Sequence, residues 1–301
     1  MIEARKVTKS FGDVRAVDGI DAVIEEGGVY GLIGTNGAGK STFLRMVAGI
    51  LKPDEGEIRI DGAPVYENPP VKANLFYIPD EPYFLPNAKA VDMEKYYKAV
   101  YPQFDRERFQ SMLEQFGLDR KRKVAGFSKG MKKQLAVIAG VCSGTQYLLC
   151  DETFDGLDPV MRQAIKKVFA GEMAERDLTP IIASHNLREL EDICDHVGLL
   201  HKGGILLSRD LYDMKADIHK LQCVLREDGP AMEEIVRGLK TVKQEQRGRL
   251  YTLTLKGNRE EIEKTIAAAE PIFYEVVPLT LEEIFISETE VVGYDIQKLI
   301  F

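Results

Sequence analysis

The chain contains 301 residues, of which 45% are hydrophobic and 29% are charged, and it carries a formal net charge of −8. These proportions are typical of a globular protein with a core, and the length allows about two domains. The negative charge argues against nucleic acid as the main partner, because phosphate backbones select basic surfaces. No stretch approaches the roughly 20 consecutive apolar residues of a membrane-spanning helix. We therefore expect any transmembrane pore to belong to another polypeptide.

The four cysteines form neither a disulfide framework nor a metal-binding pattern. They lie in mostly apolar surroundings, and no two of them are spaced as C-x-x-C. The N-terminal residues lack the apolar region of a secretion signal. Together these features predict reduced core cysteines in a cytosolic protein, at Cys142, Cys150, Cys194 and Cys223.

The first half of the chain alternates strand patterns with helical ones. Residues 1–28 contain short strand segments broken by turns, and the apolar run Val29–Ile33 predicts a buried strand that ends in a glycine-rich turn. From Lys40 the apolar spacing becomes helical. The segment EGEIRIDG predicts a further strand and turn, and residues 81–145 predict a mostly helical insert.

The second half begins with two apolar runs, Tyr147–Cys150 and Pro180–Ser184, which predict buried strands. Alternation of strands with helices predicts a parallel α/β sheet for a first domain at residues 1–216. Residues 217–301 then show the order strand, helix, strand, strand, helix, strand. This β-α-β-β-α-β order predicts a small α+β domain with the ferredoxin-like arrangement. A helix and a tail are expected in the last stretch, from Thr280 onwards.

A glycine-rich turn between the first buried strand and the following helix fits the pattern G-x-x-x-x-G-K-[ST] of a phosphate loop. Its glycines let backbone N–H groups approach phosphate oxygens, and the helix adds its positive dipole end. We expect Lys40 to contact the β- and γ-phosphates, Ser41 to ligate Mg²⁺ and Thr42 to bond a phosphate oxygen. The alternative is an accidental glycine turn. The predicted nucleotide-binding residues here are Gly34, Thr35, Asn36, Gly37, Ala38, Gly39, Lys40, Ser41 and Thr42.

Two carboxylates follow the predicted strand at Tyr147–Cys150. A strand end beside a phosphate loop is where Mg²⁺ needs an anchor. Asp151 is therefore predicted to hold Mg²⁺, and Glu152 to accept a proton from the attacking water. Without the phosphate loop, the same pair would more often be a solvated strand end.

The segment Phe127–Met131 precedes a helical run, and Ser128 alone could be an ordinary helix N-cap. In this position the segment resembles the signature of the ABC ATPase family, usually Leu-Ser-Gly-Gly-Gln. Ser128 and Gly130 match that signature, whereas Phe127, Lys129 and Met131 depart from it. Such relaxed signatures are similar to those of drug and antibiotic exporter subunits.

The resemblance covers residue 1 to about residue 215, and it implies a P-loop NTPase fold with antiparallel β and helical subdomains. It further implies that Phe11 stacks on adenine, although a core or surface phenylalanine is the alternative. Asp158, in the loop that starts at Asp155, would lie near the nucleotide at a dimer interface, and it could also start a helix with Pro159. His185 stands where the family has a histidine that senses the γ-phosphate.

Asp80 is the largest departure from the family pattern, which usually has glutamine there. The family glutamine reaches Mg²⁺ and the attacking water, in a loop that abuts the membrane subunit. An aspartate could ligate Mg²⁺, since that ion prefers oxygen. It could equally be a surface acid that repels Glu152 and the γ-phosphate.

The single phosphate loop implies that a second ATPase subunit, identical or paralogous, completes the site. By resemblance, Ser128 of one copy caps the γ-phosphate held by the phosphate loop of the other. The expected protein is an ATPase that uses ATP and Mg²⁺ and drives export through an integral membrane permease. We expect it to be cytoplasmic and to be held at the inner face of the cell membrane by that permease. The export direction is suggested by Phe127–Met131 and by Thr280–Phe285, which resembles a segment of exporter ATPases.

Three alternatives remain open from the sequence. One is an importer ATPase whose C-terminal domain binds a regulator. Another is a soluble ABC protein that acts on ribosomes or DNA, although tandem ATPase domains, a long coiled coil or a basic face would then be expected. The third is a module that senses ATP without turnover.

Overall fold

The computed structural model describes residues 1–291, with side chains described through residue 287. The chain divides into two compact units, Met1–Ser208 and Arg209–Phe301. The domain boundary expected near residue 216 stays a prediction. The tail expected at the end of the chain falls mostly on residues 292–301, which lie outside the described residues. Among the described residues, no helix is long and apolar enough to cross a membrane.

The first unit contains an antiparallel sheet with the order β2-β1-β4-β5. One face of this sheet is buried, as shown by the alternating burial along β2. Alternation of this kind is typical of an antiparallel sheet that packs on a core with one face only. The strands are β1 (Ile2–Phe11), β2 (Val14–Ile24), β4 (Glu55–Ile60) and β5 (Ala63–Pro64).

The second sheet of this unit has six strands in the order β10-β9-β3-β8-β7-β6. The pairs that join β9, β3, β8, β7 and β6 are all parallel. Every residue of β3, β7 and β8 is buried, as expected for parallel strands covered on both faces. The bounds are β3 (Tyr30–Ile33), β6 (Leu75–Ile78), β7 (Tyr147–Asp151), β8 (Thr179–Ser184), β9 (His196–His201) and β10 (Gly204–Asp210).

Three helices of this unit form the predicted helical insert. Within the insert, the buried ring of Phe104 stacks on Tyr97 and is tilted against Phe109. The insert contains α3 (Ala90–Val100), α4 (Arg106–Gln115), a 3₁₀ turn (Val124–Gly126) and α5 (Lys129–Cys142). The other helices of the unit are α1 (Lys40–Val47), α2 (Pro69–Lys72), α6 (Pro159–Arg176) and α7 (Leu187–Glu191).

The second unit has the predicted β-α-β-β-α-β order, and its sheet runs β12-β13-β11-β14 with antiparallel pairs. One face of the sheet packs apolar side chains such as Leu221 and Leu253 against helical side chains such as Ile262, and together they form a separate core. The elements are α8 (Leu211–Asp217), β11 (Ile218–Val224), α9 (Met232–Ile235), a 3₁₀ turn (Val236–Gly238), β12 (Lys240–Arg247), β13 (Leu250–Lys256), α10 (Arg259–Ala268), β14 (Phe273–Val277) and α11 (Leu281–Val291).

Candidate functional site

The parallel sheet brings three chemically distinct segments to one edge. Strand β8 lies between β3 and β7, and all three run in the same direction. The glycine turn that follows β3, the acids that end β7 and the histidine that follows β8 therefore meet at the carboxyl edge of the sheet. In open α/β sheets this edge is where ligands bind.

The glycine turn wraps the start of α1 and exposes its own tip. Thr35 and Asn36 are exposed, whereas Ala38 is buried. Gly39 is the N-cap residue of α1 and has a φ of 107°, and a β-carbon there would lie 2.2 Å from the carbonyl oxygen of Ala16. Only glycine fits this backbone. The first N–H groups of a helix have no acceptor within the helix, so those of α1 are available to an anion bound in the turn.

Lys40 is buried at the base of the turn, with 5% of its side chain exposed. Its Nζ atom donates to the carbonyl oxygen of Gly34 at 2.7 Å and to that of Thr35 at 3.3 Å. The same atom lies 3.2 Å from Oε1 of Glu152. The ammonium group thus lies against the backbone of the turn and is also the counter-ion of the predicted catalytic acid.

Ser41 and Asp151 form the expected oxygen pair. The Ser41 hydroxyl donates to Oδ1 of Asp151 at 2.9 Å, and the Tyr77 hydroxyl donates to Oδ2 at 3.0 Å. Burial raises the pKa of Asp151 above its ordinary value, although both hydrogen bonds act in the opposite direction. A buried carboxylate beside a hydroxyl oxygen is the donor set that Mg²⁺ prefers, and a divalent cation there would favour the ionised acid. The residues present therefore fit Mg²⁺.

Glu152 occupies a strained position directly after β7. Its φ is 47°, in the left-handed region that an L-residue adopts only when its surroundings enforce it. The carboxylate is mostly buried, and its Oε2 atom lies 2.9 Å from Nδ1 of His185. Glu152 is therefore held between Lys40 on one side and His185 on the other.

The predicted signature residues lie in a second group, at the start of α5. Ser128 is exposed and caps that helix, because its hydroxyl accepts from the N–H of Met131 at 3.2 Å. A β-carbon on Gly130 would lie 3.2 Å from the carbonyl oxygen of Gly156, so this helix start packs closely on the loop after Glu152.

The same loop begins at Asp155 and carries the predicted site residue Asp158. Lys129 donates to Oδ2 of Asp155 at 2.8 Å, and this bond holds the pKa of Asp155 below its ordinary value. Asp158 is exposed and caps α6 by accepting from the N–H of Met161 at 2.9 Å. The helix-start alternative for Asp158 is thus observed, while its nucleotide role stays a prediction.

Two further predicted residues lie at the end of β1 and after β6. Phe11 ends β1 with half of its surface exposed, and Nζ of Lys9 lies 5.8 Å from the centre of its ring. Asp80 follows β6, and its Oδ1 atom accepts from Nζ of Lys133 at 3.0 Å. The predicted roles of Phe11 at adenine and of Asp80 at Mg²⁺ stay predictions.

Comparison with known proteins places this site in a family. The family profile described as ABC transporter matches residues 17–155. The chain is 32% identical over 209 residues to the bacitracin transport ATP-binding protein BcrA of Bacillus licheniformis, which is 68% of each chain. The chain belongs to the ABC transporter ATP-binding proteins.

Other similarities extend over more of the chain or concern the fold. The ABC transporter ATP-binding protein YtrB of Bacillus subtilis (strain 168) is 29% identical over 288 residues, covering 96% of this chain and 98% of that protein. A solved structure described as an ATP-binding subunit of an ABC transporter superposes with a TM-score of 0.66 at 25% identity, covering 71% of this chain and 92% of that one. The predicted family, fold class and ATPase activity are therefore confirmed. The predicted function, the ATP-binding subunit of an ABC transporter, fits these similarities better than an importer ATPase with a regulatory domain, a soluble ABC protein or a module that senses ATP without turnover.

Two side chains of the ATPase site were not among the predicted site residues. Tyr77 lies on β6, a strand that the sequence analysis did not predict, and it binds Asp151. Lys133 was part of the predicted helical run, yet it is fully buried and bonds to Asp80 and to the backbone of Glu152. Nothing in the sequence near the start of α5 indicates that a lysine there is buried, because lysine side chains on helices usually reach solvent.

Proposed function

We propose that this ATP-binding subunit drives export of a substrate through a separate membrane permease, by closing on a second ATPase subunit around ATP and opening after hydrolysis. The observation that carries the catalytic part is the placement of the Glu152 carboxylate between Lys40 and His185, at the edge where the phosphate loop ends. The export direction is supported by relatives named for bacitracin transport and for linearmycin resistance.

In the proposed reaction, a water molecule attacks the γ-phosphorus of ATP, and the bond to the β–γ bridging oxygen breaks. Glu152 accepts the proton of that water, while ADP leaves with the bonding electrons. Lys40 and His185 are placed to stabilise the negative charge that develops on the γ-phosphate oxygens. His185 also orients Glu152, because its Nδ1 atom lies 2.9 Å from Oε2.

Ser41 and Asp151 are the residues that would hold Mg²⁺. When bound, Mg²⁺ supplies positive charge that polarises the phosphate oxygens. Tyr77 restrains Asp151 by donating to its second oxygen. The backbone N–H groups of the phosphate loop and the N-terminus of α1 bind the phosphates themselves.

The proposed dimer rests on the exposed start of α5. Ser128 and Lys129 are exposed and Gly130 is half-buried, so the start of α5 lies at the surface, where a phosphate from outside the chain can approach it. ATP held by the phosphate loop of one copy would then meet Ser128 and Gly130 of the other. Because both helix starts attract the same negative charge, ATP stabilises the closed pair and its hydrolysis weakens it. Asp158 and Phe11 are proposed to contribute at the same nucleotide.

The proposed permease contact follows β6. Tyr83, three residues after Asp80, is 74% exposed, and Leu85 is also exposed. Exposed apolar side chains of this kind suit a protein interface. In this proposal the subunit lies on the cytoplasmic face of the membrane and is attached only through the permease.

The decisive experiment traps the closed dimer. Glu152→Gln should leave ATP binding intact, lower kcat by at least about 100-fold and give a dimer in ATP by light scattering. In the same background, Ser128→Arg should abolish the dimer while ATP binding persists. A monomer with Glu152→Gln at saturating ATP, or a dimer unaffected by Ser128→Arg, contradicts the proposed closure.

A further inference from the structure

Lys133 is buried in a way that its position in the sequence does not explain. It lies in the second turn of α5, and none of its side-chain surface is exposed. Burial of an ammonium group is unfavourable unless charged and polar partners replace the lost water. The partners that replace it here belong to two segments outside the helix.

The first partner is Asp80, in the loop that follows β6. Nζ of Lys133 donates to Oδ1 of Asp80 at 3.0 Å. Asp80 is itself about half exposed, so water can still solvate its carboxylate. The ion pair therefore links the start of α5 to the loop after β6. Lys133 loses its hydration on forming this pair, whereas Asp80 keeps much of its own.

The second partner is the backbone of the proposed catalytic acid. Nζ of Lys133 also donates to the carbonyl oxygen of Glu152, and this oxygen accepts a second bond from the N–H of Asp155 at 3.2 Å. On its other side, the N–H of Glu152 donates to the carbonyl oxygen of Ala183 at 2.9 Å. The peptide groups on both sides of the left-handed φ of 47° at Glu152 are thus fixed by specific bonds.

We propose that Lys133 is a positioning residue for ATP hydrolysis, which holds the Glu152 peptide so that its carboxylate stays between Lys40 and His185, with Asp80 as the counter-ion. This inference rests on the proposed role of Glu152 as the general base. Lys133 touches no reacting atom in this account, and its effect passes through the backbone of Glu152. A misplacement of about 1 Å at such an acid can cost on the order of 100-fold in rate.

The test compares Lys133→Met alone and in a Glu152→Gln background, in the full chain. Lys133→Met keeps the unbranched chain as far as the ε-carbon and a similar helix propensity, and it removes the ammonium group. We expect kcat to fall about 10- to 100-fold, with the dissociation constant of ATP within about 2-fold. When Glu152 is already Gln, the same substitution should change the residual rate by less than about 2-fold, because the group it positions is gone.

Two controls separate positioning from general damage. Lys132→Met, one residue earlier on α5 and only half-buried, should keep the wild-type kcat. Lys133→Gln retains an N–H donor and should lie between wild type and Lys133→Met in kcat. It also serves as the test variant if urea unfolding shows that Lys133→Met does not fold.

The outcomes distinguish the two proposals. A wild-type kcat in Lys133→Met, or an equal loss with and without the Glu152 carboxylate, overturns the positioning role and leaves Glu152 as the base. A Glu152→Gln variant that retains the wild-type kcat overturns the base itself, and with it the role of Lys133.

Discussion

The Ser41 hydroxyl donates to Oδ1 of Asp151 across 2.9 Å, so the first turn of α1 and the last residue of β7 present two oxygen atoms at one point. These residues are 110 positions apart in the chain. Their contact exists because α1 packs against β7 and β8. Burial at this point raises the pKa of Asp151, so the ionised carboxylate is less favourable here than in water, and a bound cation would offset that cost.

The first prediction concerns Asp151→Asn and the pH dependence of stability without Mg²⁺. As pH rises from the ordinary pKa of an aspartate through the raised pKa of Asp151, the unfolded chain loses its proton before the folded chain. The free energy of unfolding of the wild type therefore falls across that window. Asp151→Asn lacks this loss, so its stability relative to the wild type should increase with pH, while its ATPase activity falls at least about 100-fold. Urea unfolding in EDTA at several pH values measures the difference.

Asp155→Asn is the matched control, because the shift there has the opposite sign. Lys129 lowers the pKa of Asp155, so this acid stabilises the fold above its ordinary pKa, and the contribution is lost as pH falls through the lowered pKa. The stability of Asp155→Asn relative to the wild type should therefore decrease with rising pH. The same pH trend in both variants would contradict the assigned environments.

The segments that could be predicted from the sequence are those whose pattern lies within one continuous stretch of residues. The phosphate loop was predictable because its pattern lies in one continuous stretch. The runs at Tyr147–Cys150 and Pro180–Ser184 were also predictable, because an uninterrupted apolar run is typical of a buried parallel strand, and they form β7 and β8. The C-terminal β-α-β-β-α-β order was predicted for a similar reason, because apolar residues recur at strand spacing in its strands and at helix spacing in its helices.

The parts that were missed depend on contacts between distant segments. Strand β6 (Leu75–Ile78) is only four residues long, and its pairing with β7 decides that it is a strand. Strands β9 and β10 contain or adjoin glycines that obscure the apolar pattern. Lys133 looks like a solvated lysine in sequence, and its partners are 53 and 19 residues away. Such contacts depend on how distant segments pack together, and the local pattern of a sequence does not reveal that packing.

The second prediction concerns His185. Because Nδ1 of His185 contacts Oε2 of Glu152 at 2.9 Å, His185→Ala frees the carboxylate to turn away from the attacking water. We expect kcat to fall about 10- to 1,000-fold, with little change in ATP affinity. His185→Gln keeps an N–H donor and should recover part of the loss. Steady-state ATPase assays with a binding titration measure both quantities, and a wild-type kcat for His185→Ala would remove His185 from the reaction.

The third prediction compares two glycines of the phosphate loop. Gly37 has a φ of 79° and no atom within 4 Å of an added β-carbon, whereas Gly39 has a φ of 107° and meets the carbonyl oxygen of Ala16 at 2.2 Å. Gly37→Ala should cost about 1–2 kcal/mol of unfolding free energy from the left-handed backbone alone. Gly39→Ala adds a backbone clash, so we expect a larger loss and a displaced loop.

Urea unfolding gives the two stabilities, and titration with a fluorescent ATP analogue gives the affinities. Gly39→Ala should lose far more affinity than Gly37→Ala, since the clash moves the start of α1. Equal stability losses in the two variants would show that the turn relaxes without cost at Gly39, against the packing seen around Ala16.

The last prediction concerns Phe11 at the end of β1. Its ring is half exposed, so Phe11→Ala should change the stability by less than about 1 kcal/mol, as is usual for surface substitutions. Stacking of an aromatic ring on a base contributes about 1–3 kcal/mol, which predicts a rise of about 5- to 150-fold in the KM for ATP with kcat nearly unchanged. Val14→Ala is the matched control, because Val14 pairs with Phe11 across the hairpin and is 66% exposed. A KM that rises equally in both variants would assign the effect to the hairpin, and an unchanged KM in Phe11→Ala would place adenine elsewhere.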